Sequence, residues 1–225
     1  MTIRVLLADD QALLRATFRI LIDSEDDMTV IAEAADGREA VEATEEYRPD
    51  VVVMDIRMPH LDGVAATAAI CSRPELADTH ILVLTTFEND ENIAKALRAG
   101  ASGFLGKGVS PETLLSGIRT VAAGEALLSQ AATRALITRF LAAPDTDDLL
   151  ALPEAVKALT DREREVVTLA AHGRSNAQIA ERLVLSPLTV RSHIQRAMTK
   201  LDARDRAQLV VIAYQSGLVQ PQSPA

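Results

Sequence analysis

The 225-residue sequence predicts an α/β domain, with a doubly wound five-stranded parallel sheet in the order 2-1-3-4-5, followed by an all-α domain. Three observations predict this. Short apolar runs alternate with helical patterns through the first half of the chain. The strand signal stops at about residue 125, and only helical patterns follow. The balance of charge also reverses: residues 1–153 hold 13 Lys+Arg against 25 Asp+Glu, whereas residues 154–225 hold 10 against 7.

The predicted strands are Ile3–Ala8, Met28–Ala34, Asp50–Met54, His80–Leu84 and Ser102–Leu105. Helical spacing follows each: Phe18, Leu21 and Ile22, then Ala40 and Val41, then Ala65 to Ile70, Ile93 to Leu97, and Leu114 to Val121. Strict alternation implies right-handed crossovers and a sheet covered on both faces. Ser110-Pro111 caps the fifth helix and opens it with a first-turn proline, and Gly100 and Gly124 read as left-handed helix stops. Ala126 to Leu141 reads as one further helix, and the small, acidic stretch from Ala142 to Asp148 reads as a linker. Beyond it, Thr160-Asp161-Arg162-Glu163 is a capping box. Gly173 ends that helix, Ser175 caps the next, and Ser186-Pro187 starts a third. A last helix is predicted from Arg204 to Gly217. The expected division is residues 1–124, a connecting helix and linker over 125–155, and a second domain over 156–221.

Composition removes several function classes. No apolar run approaches the roughly 18 residues that a membrane-spanning helix requires. The amino terminus runs from a short apolar stretch straight into Asp9-Asp10, which does not resemble a secretory signal. The single cysteine, Cys71, allows no intramolecular disulfide and no cysteine metal cluster, which fits a cytoplasmic protein. The net charge of −9 is carried by the first half. The basic end can therefore approach phosphates despite the acidic total.

Four strand ends carry the chemistry: Asp9-Asp10 after the first, Asp55 after the third, Thr85-Thr86 after the fourth and Lys107 after the fifth. Ligands of doubly wound sheets bind outside the carboxyl ends of the strands, where the strand order reverses. In order 2-1-3-4-5 that point lies between strands one and three, which brings Asp9, Asp10 and Asp55 together. Three adjacent carboxylates repel one another and call for a hard, oxygen-liganded cation such as Mg²⁺. One carboxylate can then act as the nucleophile for phosphoryl transfer, with Lys107 neutralising the transferring oxygens and the Thr85 hydroxyl bonding the product phosphate.

With Met54-Asp55-Ile56-Arg57-Met58-Pro59, Asp62-Gly63 and Ala99-Gly100-Ala101-Ser102-Gly103-Phe104-Leu105-Gly106-Lys107, these residues resemble the receiver domain of two-component response regulators over about residues 3–123. The resemblance implies that Asp55 is the phosphoacceptor and that Asp9, Asp10, Asp55 and the backbone carbonyl of Arg57 hold Mg²⁺. It implies Thr85 as the switch hydroxyl, Phe104 as the aromatic that moves with it, and Lys107 as the phosphate-binding lysine. Gly106 and Gly108 depart from the family pattern. Their added backbone freedom predicts a more loosely held lysine.

The second domain has three short helices with a tight Val184-Leu185-Ser186 turn between the second and third, the pattern of a helix-turn-helix. Val190, Ile194, Ala197, Met198 and Leu201 form the buried stripe of the third helix. Arg191, Ser192, Gln195, Arg196, Thr199 and Lys200 are left on its other faces, where they suit a DNA major groove. The runs Leu159 to Val166, Gly173 to Ala180 and Ser186 to Ile194 resemble the LuxR-type helix-turn-helix, and the whole chain resembles the NarL/FixJ response regulators. That resemblance implies base contacts from Arg191, Ser192 and Gln195. It implies phosphate or supporting contacts from Ser175, Asn176, Thr189, His193 and Arg196. It further implies DNA, a sensor histidine kinase and a second copy of the chain as partners, and no enzyme activity of its own. Two other classes remain open at this point. One is a phosphorylation-independent regulator of the same architecture. The other is an aspartyl-phosphate phosphotransferase, although such enzymes usually place a second acid two residues after the nucleophile, where this chain has Arg57.

Overall fold

The computed structural model describes residues 2–86, 90–124 and 156–219. They fall into two compact units, one within Met1–Leu127 and one within Leu128–Ala225. The helix expected over Ala126–Leu141 and the linker expected over Ala142–Asp148 lie outside the described residues.

The first unit runs β1 (Ile3–Ala8), α1 (Ala12–Asp23), β2 (Met28–Ala34), α2 (Gly37–Tyr47), β3 (Val51–Met54), α3 (Gly63–Cys71), β4 (His80–Thr85), α4 (Asp90–Arg98), β5 (Gly103–Gly106) and α5 (Pro111–Ala122). All strand pairs are parallel, in the predicted order β2-β1-β3-β4-β5. β3 is apolar throughout, and β4 is apolar from Ile81 to Leu84, because both of their faces are covered. Val5, Leu7, Val51, Val53, Leu82 and Leu84 pack with Ile22 of α1 and with Leu114, Leu115, Ile118 and Val121 of α5. The alternate residues Leu6, Val52, Met54, Ile81 and Val83 are buried on the opposite face.

Strand ends differ from expectation by one residue. β4 extends to Thr85 and β5 to Gly106 because these two residues still pair in the parallel ladder. Thr85 is therefore the last strand residue rather than the first of the loop.

α2, α3 and α5 start where the sequence provides caps, whereas Gln11 before α1 makes no side-chain cap bond. The Asp36 side chain accepts hydrogen bonds from Arg38 and Glu39 N–H at the start of α2. Asp62 does the same for Ala65 at α3, and Ser110 for Thr113 at α5.

The second unit is helical: α6 (Asp161–Ala171), α7 (Asn176–Leu183), α8 (Pro187–Leu201) and α9 (Arg206–Gln215). Both capping boxes are complete, Thr160 with Glu163 and Ser175 with Gln178. The last helix begins two residues later than predicted, since the Asp205 carboxylate accepts the Gln208 N–H and so sits at the cap. The core collects Val166, Val167, Ile179, Val190, Ala197, Leu209 and Val210, all almost inaccessible to solvent. No described helix is long and apolar enough to cross a membrane.

Candidate functional site

The parallel register brings the chemistry-bearing residues to one edge. Ala8 pairs with Met54, Met54 with Val83, and Thr85 with Gly106, so the carboxyl ends of β1, β3, β4 and β5 lie side by side. Asp9 and Asp55 each follow a strand directly, and each is about 5% exposed. The Asp55 N–H donates to the Ala8 carbonyl at 2.8 Å, which ties the two strand ends together.

Lys107 closes the site. Its Nζ lies 2.6 Å from Asp9 Oδ2 and 2.9 Å from Asp55 Oδ2, and its side chain is nearly inaccessible. Its backbone N–H donates to the Thr85 carbonyl at 2.8 Å. The flanking glycines therefore leave the lysine anchored at both ends. Burial by itself would lower the lysine pKa, but the hydrogen bonds that the ammonium donates to Asp9 and Asp55 outweigh it and hold the pKa above the ordinary lysine value.

The remaining carboxylate oxygens have fixed roles. Asp9 Oδ1 accepts the Gln11 N–H at 2.9 Å, and Asp55 Oδ1 accepts the Ile56 N–H at 2.8 Å. Asp10 is exposed, yet one oxygen of each of Asp9, Asp10 and Asp55 lies within 4.8 Å of the others. Three acids against one lysine leave excess negative charge lined with hard oxygen donors, a donor set that fits a partly hydrated Mg²⁺. Thr85 is fully buried at the end of β4, Phe104 is buried on β5, and the Arg57 side chain and Thr86 are exposed.

The structure gives two supporting residues a part that the sequence reading did not assign. Gly63 opens α3 so close to the site that a Cβ there would stand 1.9 Å from the Asp55 carbonyl oxygen. Only glycine allows that approach, and its N–H bonds the Ile56 carbonyl at 2.8 Å. The Arg15 side chain donates to the Asp9 carbonyl and pairs with Glu33 at 3.2 Å. The Asp-Gly dipeptide at 62–63 was a usable signal for the first, whereas nothing local links Arg15 with Glu33.

In the second unit α8 buries the predicted stripe, Val190, Ile194, Ala197, Met198 and Leu201. Arg191, Ser192, Gln195, Arg196 and Thr199 are exposed, as is Leu188 in the first turn. Thr189 is half-buried, with its hydroxyl 2.8 Å from that of Ser186. His193 is half-buried, and its Nδ1 has no hydrogen-bond partner among the described residues. Ser175 caps α7, and Asn176 Oδ1 accepts a hydrogen bond from the largely buried Arg206 guanidinium. Lys200, expected on the faces that suit a DNA groove, holds Glu163 at 2.6 Å. Glu163 is buried, which by itself would raise its pKa. The Lys200 ammonium and the Thr160 N–H and hydroxyl hold it below the ordinary glutamate value.

Comparison with known proteins fits this geometry. Residues 5–119 match the response regulator receiver domain, and residues 157–213 match the bacterial regulatory proteins of the luxR family. The transcriptional regulatory protein YxjL of Bacillus subtilis is 40% identical over 218 residues, which span 97% of this chain and 98% of that one. The chain belongs to the response regulators with a LuxR-type DNA-binding domain. The oxygen regulatory protein NreC of Staphylococcus epidermidis is 36% identical over 96% of this chain and 99% of its own. The crystal structure of the response regulator ChrA, from a heme-sensing two-component system, aligns over 97% of this chain and 99% of that one, with 33% identity and a TM-score of 0.51. This response regulator is thus a transcription regulator with a receiver unit and a helix-turn-helix unit, as the sequence predicts.

Proposed function

We propose that Asp55 accepts a phosphoryl group from a sensor histidine kinase and that the resulting charge controls sequence-specific DNA binding through α8. The observation that carries this reading is the Lys107 ammonium bridging Asp9 and Asp55 at 2.6 and 2.9 Å beside Asp10. An Asp55 carboxylate oxygen forms the new bond to phosphorus as the donor's P–N or P–O bond breaks. Lys107, released from Asp55 Oδ2, remains within reach of the transferred oxygens and offsets their charge. Asp9, Asp10, Asp55 and the Arg57 carbonyl are the groups that would hold Mg²⁺, which when bound would neutralise phosphate charge. The Thr85 hydroxyl then bonds the phosphate, and Phe104 follows it inward.

Arg57, two residues after the nucleophile, is no proton-transfer group, so hydrolysis of the aspartyl phosphate is slow and the site acts as a switch rather than an enzyme. The active form is a dimer on two DNA half-sites, with Arg191, Ser192 and Gln195 toward bases and Ser175, Asn176, Thr189, His193 and Arg196 toward phosphates or in support. We assign residues 1–124 to the receiver, 125–155 to the connection and 156–221 to the DNA-binding domain, and we place the protein in the cytoplasm with its DNA.

Incubation with acetyl phosphate and Mg²⁺, followed by intact mass, tests the first step. One phosphate adduct on wild type and none on Asp55→Asn supports it, and equal labelling of both overturns it. For the DNA step, Arg191→Ala is expected to weaken discrimination between sequences, and Arg196→Ala to reduce the salt dependence of binding. Unchanged binding in both variants would move recognition to another element.

A further inference from the structure

The first turn of α8 carries an apolar residue that packing does not use. Leu188 is 72% exposed, whereas Val190, Ile194, Met198 and Leu201 of the same helix are buried. A lone exposed leucine is ordinary on a protein surface, so its position decides whether it has a purpose. At about 3.6 residues per turn, Leu188 lies in line with Arg191, Ser192 and Gln195, all exposed and opposite the buried stripe. It therefore opens the face that carries the predicted base contacts.

The chemistry of that position is narrow. Residues near the amino end of a recognition helix are the ones that meet base edges in the major groove. Leucine offers no donor or acceptor, so it cannot read guanine, adenine or cytosine by hydrogen bonds. The apolar feature of the major groove is the C5-methyl group of thymine. Its neighbours do not supply this contact. Pro187 is held in the helix start, the Ser192 hydroxyl donates to the Leu188 carbonyl at 3.0 Å, and Thr189 is tied to Ser186.

We propose that Leu188 is a specificity-determining residue, packing its exposed methyl groups against the C5-methyl of one thymine in each DNA half-site. The inference rests on the reading that α8 enters the major groove and adds which base its first turn selects. Leu188 gains burial only against that methyl; against phosphate or cytosine it would displace water from polar groups without replacing the lost hydrogen bonds.

The test uses the full chain, treated with acetyl phosphate and Mg²⁺, and the strongest duplex recovered from a random-sequence library. Each thymine in that duplex is replaced in turn by deoxyuridine, which removes only the methyl group. Wild type is expected to bind about fourfold more weakly at one position per half-site, and roughly 16-fold more weakly when both are changed, as burial of one methyl per half-site implies. Leu188→Ala is expected to bind the methylated and unmethylated duplexes alike, with an unchanged circular dichroism spectrum because the side chain is exposed. Arg191→Ala is expected to keep the methyl sensitivity while losing discrimination elsewhere. No sensitive thymine in wild type, or equal sensitivity in Leu188→Ala, overturns the proposal. If Arg191→Ala still loses discrimination in that case, only the thymine contact fails; if it does not, the groove placement of α8 fails as well. Uniformly tighter binding of every duplex by Leu188→Ala would also overturn it, by assigning the leucine to a contact within the protein.

Discussion

Two lysines in this chain each neutralise a buried carboxylate, and the contrast between them separates the proposed phosphoryl site from a structural ion pair. Lys200 pairs one-to-one with Glu163, whose oxygens also complete the capping box of α6. The charge balances, and the pair fastens α8 to the start of α6. Lys107 instead faces Asp9 and Asp55 with Asp10 alongside, at the open edge of the sheet. There the charge does not balance, which leaves work for a cation. A buried ion pair alone therefore does not mark a functional site; the uncompensated charge around it does.

The largest expected difference comes from removing each lysine. Lys107→Met leaves two buried carboxylates facing each other and should cost the receiver unit about 3 kcal/mol, read by hydrogen exchange of β1 and β3 amides. Millimolar Mg²⁺ should recover part of the loss. Lys200→Met should cost the second unit about 1 kcal/mol, because the lysine is partly exposed, and Mg²⁺ should restore none of it. Equal responses to Mg²⁺ would erase the contrast. Glu163→Ala removes a cap together with an ion-pair partner, and about 2 kcal/mol should be lost from α6 protection with the phosphate adduct on Asp55 unaffected.

Acid and alkali should act on the two pairs separately. The Glu163 pKa is lowered in the folded protein, so its contribution is full above about 4.5, the unfolded value, and is lost as pH falls through the lower folded value. The Lys107 pKa is raised, so its contribution is full below about 10.5 and is lost as pH rises through the higher folded value. Urea midpoints against pH, with Glu163→Gln and Lys107→Met as controls, should flatten the acid limb in the first variant and the alkaline limb in the second.

An effect as small as that of Lys200→Met, but of opposite sign, lies at the helix-turn-helix turn. Val184 ends α7 with φ 54°, a conformation costly for a β-branched side chain, and it is 91% exposed. Val184→Gly should stabilise the second unit by about 1 kcal/mol, as a shift in its thermal midpoint.

The sequence revealed most where chemistry and local pattern coincide. Asp9, Asp10, Asp55 and Lys107 were legible because strand ends are read from apolar runs, and the sheet rule then gathers them at one edge. Caps such as Thr160, Ser175 and Ser186 were legible because the residues concerned lie three apart. Hidden were the contacts that span the chain: Lys200 with Glu163, Arg206 with Asn176, and Arg15 with Asp9 and Glu33. Helical periodicity put Lys200 on a face, but only packing gave that face a buried acid. Asn176 illustrates the same limit, since its expected place near phosphate now includes a bond to a buried arginine. Thr85 lay one residue from its predicted place because ladder pairing with Gly106, not hydropathy, ends β4.

The central claim is that charge added at Asp55 reaches the DNA-binding helix. The most direct measurement is the affinity of the full chain for its selected duplex, before and after acetyl phosphate with Mg²⁺, with the adduct fraction read by intact mass in the same sample. Wild type should tighten in proportion to the adduct fraction, by about tenfold or more at full modification, a coupling of about 1.4 kcal/mol. Asp55→Asn should carry no adduct and keep its untreated affinity. A full adduct with unchanged affinity, or an Asp55→Asn protein that tightens as wild type does, would contradict it.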